Sequence, residues 1–211
     1  MSNYNAKPFE VIGTRFPSRL YRAFGKRLVD IVFALMALPI ALPILCVLAL
    51  LATLYSGKPF YGQDRVGKNG RIYRMFKLRL TTKDENTCFE QHYHHGLDGQ
   101  QDVGDEPPLT GFGRFLRSSS IEDLPQLFNV LIGDMSFIGP RPMTVSQKAL
   151  YPGKAYDDLR PGITGLWQIT GKSAMNLTKC AVFDYQYSRN LSLASDLAIL
   201  TETAKRALHS A

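Results

Sequence analysis

The chain has 211 residues, which is enough for one domain with a hydrophobic core and too few for two comfortable ones. Its formal net charge of +7 and pI near 9.4 are compatible with nucleic acid, an anionic membrane surface or phosphorylated substrates as partners. The three cysteines, Cys46, Cys88 and Cys180, are odd in number and widely spaced. This pattern argues against a disulfide-stapled secreted domain and favours a reducing, cytosol-facing location.

Residues 1–24 are predicted to form a flexible N-terminal arm, because they are largely polar, contain Pro8 and Pro17, and lack sustained periodicity. Near the end of this arm, residues 21–27 alternate aromatic and basic side chains, a composition that suits the headgroup layer of a membrane. Residues 25–211 are expected to form a single domain.

An apolar segment follows, residues 31–57, which has 27 residues and no charged side chain. A spanning helix needs roughly 20 such residues, and the apolar region of a signal peptide has only about 7 to 15. A plain spanning helix is the stronger alternative, since such helices tolerate proline. Basic side chains flank both ends, however, and the positive-inside rule would place both ends in the cytoplasm. We therefore predict a re-entrant segment at about residues 28–56, broken at Pro39 and Pro43.

Residues 58–79 predict a small β-hairpin with the Asn69-Gly70 pair as a turn. Basic and apolar residues alternate in its outgoing strand, so Lys77 and Arg79 share one face. By pattern alone, a solvated basic strand remains an equal alternative.

A polar segment, residues 83–108, carries seven acidic residues, one lysine and three histidines. We interpret it as a solvated variable loop rather than a metal site, because a loop of this composition rarely holds metal ligands in convergent geometry. Its role stays open.

Two adjacent carboxylates, Glu122 and Asp123, lie in the most informative stretch, residues 117–142. Pro125 is tolerated only near the start of a helix, so the pair should sit in or just before the first turn of a short amphipathic helix. The predicted apolar stripe of this helix comprises Ile121, Leu124, Leu127, Phe128 and Leu131. A helix N-terminus favours carboxylates and bound phosphate alike.

Helix capping is the alternative role for the pair, and spacing alone favours it. Ser119 with Glu122, and Ser120 with Asp123, each fit a capping-box pattern, and Asp123 is a good N-cap residue by itself.

Two arginines flank the carboxylates. Arg117 precedes them, and Arg141 follows between Pro140 and Pro142, which restrict the backbone so that its guanidinium loses little conformational entropy on binding. Phosphate is the natural target of such a side chain.

Two further segments complete the chain. Residues 160–171 contain three glycines and the single tryptophan, which predicts a tight loop with a short strand at residues 166–169 and a packing role for Trp167. Residues 196–208 predict an amphipathic helix for the core or the membrane surface. Its expected apolar face carries Leu197, Leu200, Ala204 and Leu208.

These stretches resemble the signature of the bacterial sugar transferases, the monotopic polyprenyl-phosphate phosphoglycosyl transferases, in their small single-domain type. The family pattern reads Ser-x-Asp-Glu-Leu-Pro-Gln-Leu, Asn-Val-Leu, Gly-Asp-Met-Ser and Gly-Pro-Arg-Pro. A Phe/Tyr-Lys-Phe-Arg element precedes it and Pro-Gly-Ile-Thr-Gly-x-Trp-Gln follows, so the resemblance covers about residues 26–208. One element departs, since this chain has Glu122-Asp123 where the family has Asp-Glu, and either carboxylate can then be the nucleophile.

The resemblance implies a mainly helical α+β fold, with an N-terminal re-entrant membrane helix, a small β-hairpin and amphipathic interfacial helices around a compact cytosolic active site. It implies transfer of a sugar-1-phosphate from a UDP-sugar to polyprenyl (undecaprenyl) phosphate, with release of UMP, as the first membrane step of exopolysaccharide or other glycan assembly. The implied location is the cytoplasmic face of the bacterial inner membrane. A homodimer and downstream glycosyltransferases stay open as partners, and nucleic acid is not expected.

The resemblance also implies residue roles. Glu122 and Asp123 are the expected catalytic carboxylates and Mg²⁺ ligands, with Glu122 favoured as the nucleophile by position. The expected phosphate-binding residues are Lys77, Arg79, Arg117 and Arg141. The two adjacent carboxylates, Glu122 and Asp123, form the expected catalytic dyad, and their order is reversed relative to the family. The alternative function is therefore a membrane-anchored relic or scaffold of the family that binds substrate without turnover.

Overall fold

The computed structural model describes residues 19–79, 121–170 and 176–209, which form a mainly helical α+β structure with one long apolar helix. The helices are α1 (Lys26–Ser56), α2 (Gln126–Ile132), α3 (Val145–Ala149), α4 (Leu166–Ile169), α5 (Leu177–Arg189) and α6 (Leu193–His209). The strands are β1 (Phe60–Val66), β2 (Ile72–Leu78), β3 (Ser136–Ile138) and β4 (Gly162–Thr164). Strands β1 and β2 pair antiparallel, and β3 and β4 pair parallel. A π-helical turn, Tyr21–Gly25, precedes α1.

Helix α1 continues through Pro39 and Pro43, so the predicted interruption at these prolines is not found in the described backbone. A proline removes one N–H from the helix ladder and crowds the carbonyl four residues earlier, but the residues on either side keep their own hydrogen bonds. Apolar helices tolerate this loss. The expected flexible arm lies largely outside the described residues, which begin at Arg19.

One side of α1 packs against the rest of the protein along most of the helix. Its buried residues are Asp30, Ala34, Ala41, Leu45, Leu48 and Ala52. Ala34, which precedes both prolines, clusters with Tyr73 of β2 and Val130 of α2, whereas Leu45 and Leu48, which follow them, cluster with Leu78 at the end of β2. Both halves of the helix therefore contact the same body of strands and short helices.

The opposite side of α1 is apolar and exposed. Its exposed large side chains are Leu28, Val32, Leu35, Met36, Ile40, Leu42, Ile44, Val47, Leu50 and Leu54. By length and composition, the helical segment from Tyr21 to Leu54 could cross a membrane. An exposed apolar surface of this extent is typical of a protein that associates with a membrane.

The predicted hairpin is confirmed. Its register pairs Phe60 with Leu78 at one end and Val66 with Ile72 at the other. Asn69 is the one described residue other than glycine with a positive φ, 58°, and Gly70 follows at 74°. These two residue types tolerate the left-handed region, which explains why this pair forms the turn.

Asn129 of α2 joins this helix to the edge of β2 that faces away from β1. The side chain is fully buried, its Oδ1 accepts from the Phe76 N–H at 3.0 Å, and its Nδ2 donates to the Arg74 carbonyl at 2.8 Å. The backbone carbonyl of Asn129 also accepts from three N–H groups after the helix, those of Gly133, Asp134 and Met135. One residue thus fixes α2 against the strand that carries Lys77.

We expect Asn129→Ala to lower the free energy of unfolding by about 2–4 kcal/mol, because it removes two buried hydrogen bonds and leaves a strand N–H and carbonyl without partners. Thermal unfolding in detergent micelles measures the change. Asn190→Ala is the matched control, since the Asn190 amide donates only to the Gln186 carbonyl in an exposed position. Equal losses in the two variants would contradict the bridging role.

The β3–β4 pair was not anticipated. The predicted strand at residues 166–169 is wrong, because these residues form α4 and the strand is β4, just before them. Pairing with β3 brings the two backbones so close that a Cβ on Gly162 would lie 2.1 Å from the Gly139 nitrogen. Only glycine fits there, and the contact holds the loop of Arg141 beside α4, which carries Trp167.

Helix α6 confirms the predicted C-terminal helix, but only part of its predicted face. Leu200 packs against the core as predicted, and the side chain of Leu208 lies outside the described part of the chain. Asp196 and Ile199 are buried, whereas Leu197 is 42% exposed and Ala204 is exposed. Asp196 is drawn inward because its carboxylate accepts hydrogen bonds from Tyr21 (2.6 Å) and Tyr187 (2.7 Å) and lies 2.9 Å from the Lys26 ammonium. Satisfied polar groups offset the cost of burial, and this network ties the start of α1 to α6.

Asp184 of α5 is another buried carboxyl, and it accepts a hydrogen bond from the Tyr151 hydroxyl at 2.8 Å. Burial raises the pKa of Asp184 to about 7, although the Tyr151 hydrogen bond acts in the opposite direction. In the unfolded chain the pKa of an aspartate is about 3.9. Between about pH 4 and pH 7 the folded state therefore binds the extra proton, and the contribution of Asp184 to stability falls as the pH rises.

We expect Asp184→Asn to flatten the dependence of the melting temperature on pH between about pH 4 and pH 7, because the amide does not titrate. Melting temperatures of both proteins across this interval in the same detergent provide the measurement. Parallel pH profiles for Asp184→Asn and the unmodified chain would show that Asp184 is not the titrating group.

Candidate active site

The carboxylate dyad lies in a 3₁₀ turn, Ile121–Asp123, immediately before α2. This placement confirms the prediction that Pro125 limits how early the helix begins. The N-cap residue of α2 is Pro125, without a side-chain cap, so Asp123 does not cap this helix by itself. The serines of the capping-box alternative, Ser119 and Ser120, lie outside the described residues.

Lys77 of β2 meets both carboxylates. Its ammonium nitrogen lies 3.1 Å from Asp123 Oδ1 and 3.5 Å from Glu122 Oε1. The exposed fractions of the three side chains are 18% for Lys77, 14% for Glu122 and 30% for Asp123. Because the group is partly buried, its electrostatic interactions are stronger than those of a fully exposed ion pair. The structure thus joins three of the predicted site residues.

Gln126 is a site residue that the sequence reasoning missed. It is buried, and its side-chain amide donates to Asp123 Oδ1 at 2.5 Å. The sequence does contain a signal for this contact. Gln126 follows Asp123 by three residues, and this spacing brings two side chains to the same face of a helix. Asp123 Oδ1 is therefore held from two sides, by Gln126 and by Lys77.

The 3₁₀ turn that carries Glu122 and Asp123 packs against the second half of α1 through apolar contacts. Ile121 and Leu124 pack against the cluster of Leu45, Leu48 and Leu78. The carboxylates consequently lie beside the long apolar helix.

The predicted apolar stripe of α2 is partly wrong. Leu127 is buried as expected, but Phe128 is 37% exposed, and Val130 is fully buried in its place. The reason is the length of the helix, which is only seven residues and begins at Gln126. The 3₁₀ geometry before it shifts the helical phase relative to Ile121.

Arg141 stacks on Trp167, with its guanidinium carbon 5.9 Å from the centre of the ring. This distance lies within the range of a cation–π interaction, which orients the guanidinium. Among the described contacts, Arg141 meets Trp167 and does not touch Glu122 or Asp123 directly. Trp167 was expected only to anchor packing, so its partner is a further finding.

The other two predicted arginines are less fully placed. Arg79 follows β2 directly, and its N–H donates to the Pro59 carbonyl at 2.9 Å. Strand alternation points its side chain to the same face as Lys77. Arg117 and the histidine-containing segment of residues 83–108 lie outside the described residues.

The dyad fits Mg²⁺ by its donor set. In the described ranges no three histidine, cysteine, aspartate or glutamate side chains converge, so these ranges contain no complete protein cage for a metal. Mg²⁺ seldom uses such a cage, because it is usually bound through one or two carboxylates together with substrate phosphates. Glu122 and Asp123 supply that number of carboxylates.

The known proteins that are similar to this chain are sugar transferases and exopolysaccharide production proteins. Residues 21–210 match the family described as bacterial sugar transferase. The undecaprenyl-phosphate galactose phosphotransferase of Salmonella typhimurium is 36% identical over 190 residues, which are 86% of this chain and 40% of that protein. The exopolysaccharide production protein ExoY of Rhizobium meliloti is 35% identical over 188 residues, covering 85% of this chain and 83% of that protein.

A third relative, the UDP-glucose:undecaprenyl-phosphate glucose-1-phosphate transferase of Xanthomonas campestris, is 34% identical over 199 residues, which are 89% of this chain and 40% of that protein. The chain thus spans about 40% of the length of the Salmonella and Xanthomonas relatives and most of the length of ExoY. With the family matched over nearly the whole chain and the signature carboxylates gathered around Lys77, this protein belongs to the bacterial sugar transferase family.

Proposed function

We propose that this protein transfers a sugar-1-phosphate from a UDP-sugar to undecaprenyl phosphate and releases UMP. The observation that carries the proposal is the partly buried cluster in which Lys77 meets Glu122 and Asp123. Two of the relatives are named for transfer to undecaprenyl phosphate, which supports this acceptor. The product would be a polyprenyl-diphosphate-sugar.

In the first step, a Glu122 carboxylate oxygen attacks the phosphorus that bears the sugar. A P–O bond forms to Glu122, the bond from that phosphorus to the bridging oxygen breaks, and UMP leaves with the electron pair. We assign attack to Glu122 by its position in the family pattern, and a positioning role to Asp123, whose Oδ1 is held by Gln126 and Lys77. The Lys77 ammonium offsets the negative charge that gathers as the anionic substrate meets the dyad.

In the second step, a phosphate oxygen of undecaprenyl phosphate attacks the same phosphorus. The acyl phosphate bond breaks and the Glu122 carboxylate is restored, so the enzyme returns to its starting state. Glu122 and Asp123 would hold Mg²⁺, which when bound supplies positive charge for the phosphate oxygens. Arg141, oriented by Trp167, is a candidate for bidentate phosphate binding.

We propose further that α1 enters the inner membrane without crossing it, so that both of its ends and the active site lie on the cytoplasmic side. Ala34 and Leu48 lie about 21 Å apart along the helix axis, yet both pack on the body that contains β2. The turn that carries Glu122 and Asp123 packs on the second half of the helix, so a full crossing of the bilayer would carry these carboxylates into the hydrocarbon, where charged side chains are costly. The basic flanks on both sides of the segment support the same topology.

If α1 is re-entrant, single cysteines at Arg22 and Lys68 should react from the same side of the membrane. The background lacks the three native cysteines, and a membrane-impermeant thiol reagent is applied to oriented vesicles before and after lysis. Labelling of the two positions from opposite sides would contradict the re-entrant topology.

The transfer reaction is tested with the purified protein, undecaprenyl phosphate, Mg²⁺ and a panel of UDP-sugars, with UMP as the readout. At least one UDP-sugar is expected to give lipid-dependent UMP release. The swapped dyad keeps the non-catalytic relic as a second candidate. Binding of a UDP-sugar without UMP from any member of the panel would favour the relic over the transferase.

A further inference from the structure

A cavity of about 190 Å³ lies at the tip of the β1–β2 hairpin, away from the dyad. Its walls include Lys68, Arg71 and Tyr73 of the hairpin, Asp134 after α2, and Arg160 before β4. Tyr73, the cavity residue on β2, precedes Lys77 by four residues, so about 13 Å of strand separates the cavity from Lys77. The volume corresponds to roughly six water molecules, which suits a phosphate with a small polar group attached.

Positive charge prevails in this cavity, with three cationic side chains against the single carboxylate of Asp134. Lys68 and Arg71 are exposed, and neither side chain has a hydrogen bond or ion pair with another described residue. Arg160 uses its Nε–H to donate to the Gly133 carbonyl at 2.8 Å, which fixes the guanidinium and leaves four of its five N–H donors for a ligand.

Tyr73 forms part of the cavity wall, and its side chain is 5% exposed. Its hydroxyl is buried and has no hydrogen-bond partner among the described residues. A ligand in the cavity therefore packs against the Tyr73 side chain without a hydrogen bond to its hydroxyl.

The cavity lies beside the start of the apolar helix. A smaller depression shares Lys68 and Arg160 with it and continues to Arg22 and Lys26, and its lining also includes the carboxylates of Asp30 and Asp158. The exposed apolar surface begins at the same place, with Phe24 74% exposed and Leu28 64% exposed. A lipid with its chains against that surface would bring its headgroup to the basic residues.

We propose that this cavity is a binding site for the phosphate of an anionic phospholipid headgroup. Lys68, Arg71 and Arg160 pair with the phosphate. Asp134 accepts from a hydroxyl of the headgroup, which favours a glycerol headgroup over a bare phosphate. The proposal rests on the membrane association of α1 and not on the transfer reaction, so each can fail without the other.

The test measures the melting temperature of the full chain in a zwitterionic detergent as three probes are titrated: dihexanoyl phosphatidylglycerol, dihexanoyl phosphatidylcholine and inorganic phosphate. Two pairs of charge-neutralising substitutions are compared. Lys68→Gln with Arg71→Gln removes two cavity cations, and Lys154→Gln with Arg189→Gln removes two exposed cations elsewhere. Asp134→Asn, which lowers repulsion of an anion, completes the set.

Dihexanoyl phosphatidylglycerol should raise the melting temperature of the unmodified chain and of the Lys154/Arg189 variant in a saturable way, and phosphatidylcholine should not. In the Lys68/Arg71 variant the half-saturating concentration should rise at least about tenfold, as expected when two charge-assisted contacts are lost. Asp134→Asn should bind inorganic phosphate more tightly than the unmodified chain. An equal effect of inorganic phosphate and phosphatidylglycerol would overturn the lipid assignment and leave a site for a soluble phosphate.

The proposal is overturned if phosphatidylglycerol and inorganic phosphate act equally on the Lys68/Arg71 and Lys154/Arg189 variants, since the response would then reflect general charge. UMP release at saturating substrates is expected to be the same in both paired variants. Loss of the lipid response with normal UMP release would place the site outside the catalytic machinery.

Discussion

Replacing Glu122 by glutamine is expected to lower the rate of UMP release by at least about a thousandfold, because the amide keeps the size of the side chain but is a poor nucleophile. Asp123→Asn should cost less, on the order of ten- to a hundredfold, because it removes a positioning or metal-binding carboxylate. Rates are measured at saturating UDP-sugar and lipid. Glu202→Gln, which changes a carboxylate of α6 in a surface ion pair, is the control.

The reversed order of Glu122 and Asp123 relative to the family pattern allows a more specific test of the nucleophile. Glu122→Asp alone shortens the nucleophile by one methylene, about 1.5 Å, and should cost on the order of a hundredfold. The double variant Glu122→Asp with Asp123→Glu restores the order of the family pattern and should recover part of that loss. If the Glu122→Gln enzyme releases UMP faster than the Asp123→Asn enzyme, the nucleophile is Asp123 instead.

Lys77→Met is expected to lower UMP release on the order of a hundredfold or more, since it removes the cation that contacts both carboxylates in a partly buried site. Two adjacent carboxylates would then face an anionic substrate without that charge. The rate of the Lys77→Arg enzyme should lie between the rates of the unmodified enzyme and of Lys77→Met, because arginine keeps the charge but changes the geometry. Lys154→Met, at an exposed position, is the matched control.

A Lys77→Met protein that keeps its full rate would show that the ion pairs only stabilise the fold. Thermal unfolding of the same variant separates these cases. A lowered melting temperature with normal turnover is the result that a purely structural lysine would give.

Local rules predicted the parts of this protein that depend on a few neighbouring residues. The Asn69-Gly70 turn follows from two residues that tolerate positive φ, and the position of the dyad follows from the restriction that Pro125 places on the helix start. Strand alternation predicts that Lys77 and Arg79 share one face of β2, but it leaves open whether that face meets solvent or the carboxylates. Each of these features is decided within one turn or one strand.

Structural features that depend on residues far apart in the chain could not be predicted from the sequence by these local rules. The β3–β4 pair depends on the fit of Gly139 against Gly162, which are 23 residues apart in the chain. The inward face of α6 depends on Tyr21 and Lys26 at the other end of the sequence, which hold Asp196 in the interior. Periodicity places a polar residue outside by default, and only the tertiary partners reverse that assignment.

The continuity of α1 has a related cause. Proline is a strong local signal for a break, but whether a helix ends there depends on what its freed carbonyls and apolar side chains meet. Here both halves of the helix find packing partners on the same body, through Ala34 before the prolines and Leu45 after them.

Mass spectrometry of a quenched reaction tests the proposed mechanism most directly. The protein is mixed with a UDP-sugar that supports turnover, without undecaprenyl phosphate, quenched and digested. A sugar-phosphate adduct on the peptide of the dyad, mapped to Glu122 and discharged when undecaprenyl phosphate is added before quenching, is the predicted result. An adduct on neither Glu122 nor Asp123, together with normal turnover of Glu122→Gln and Asp123→Asn, would contradict the role of the dyad.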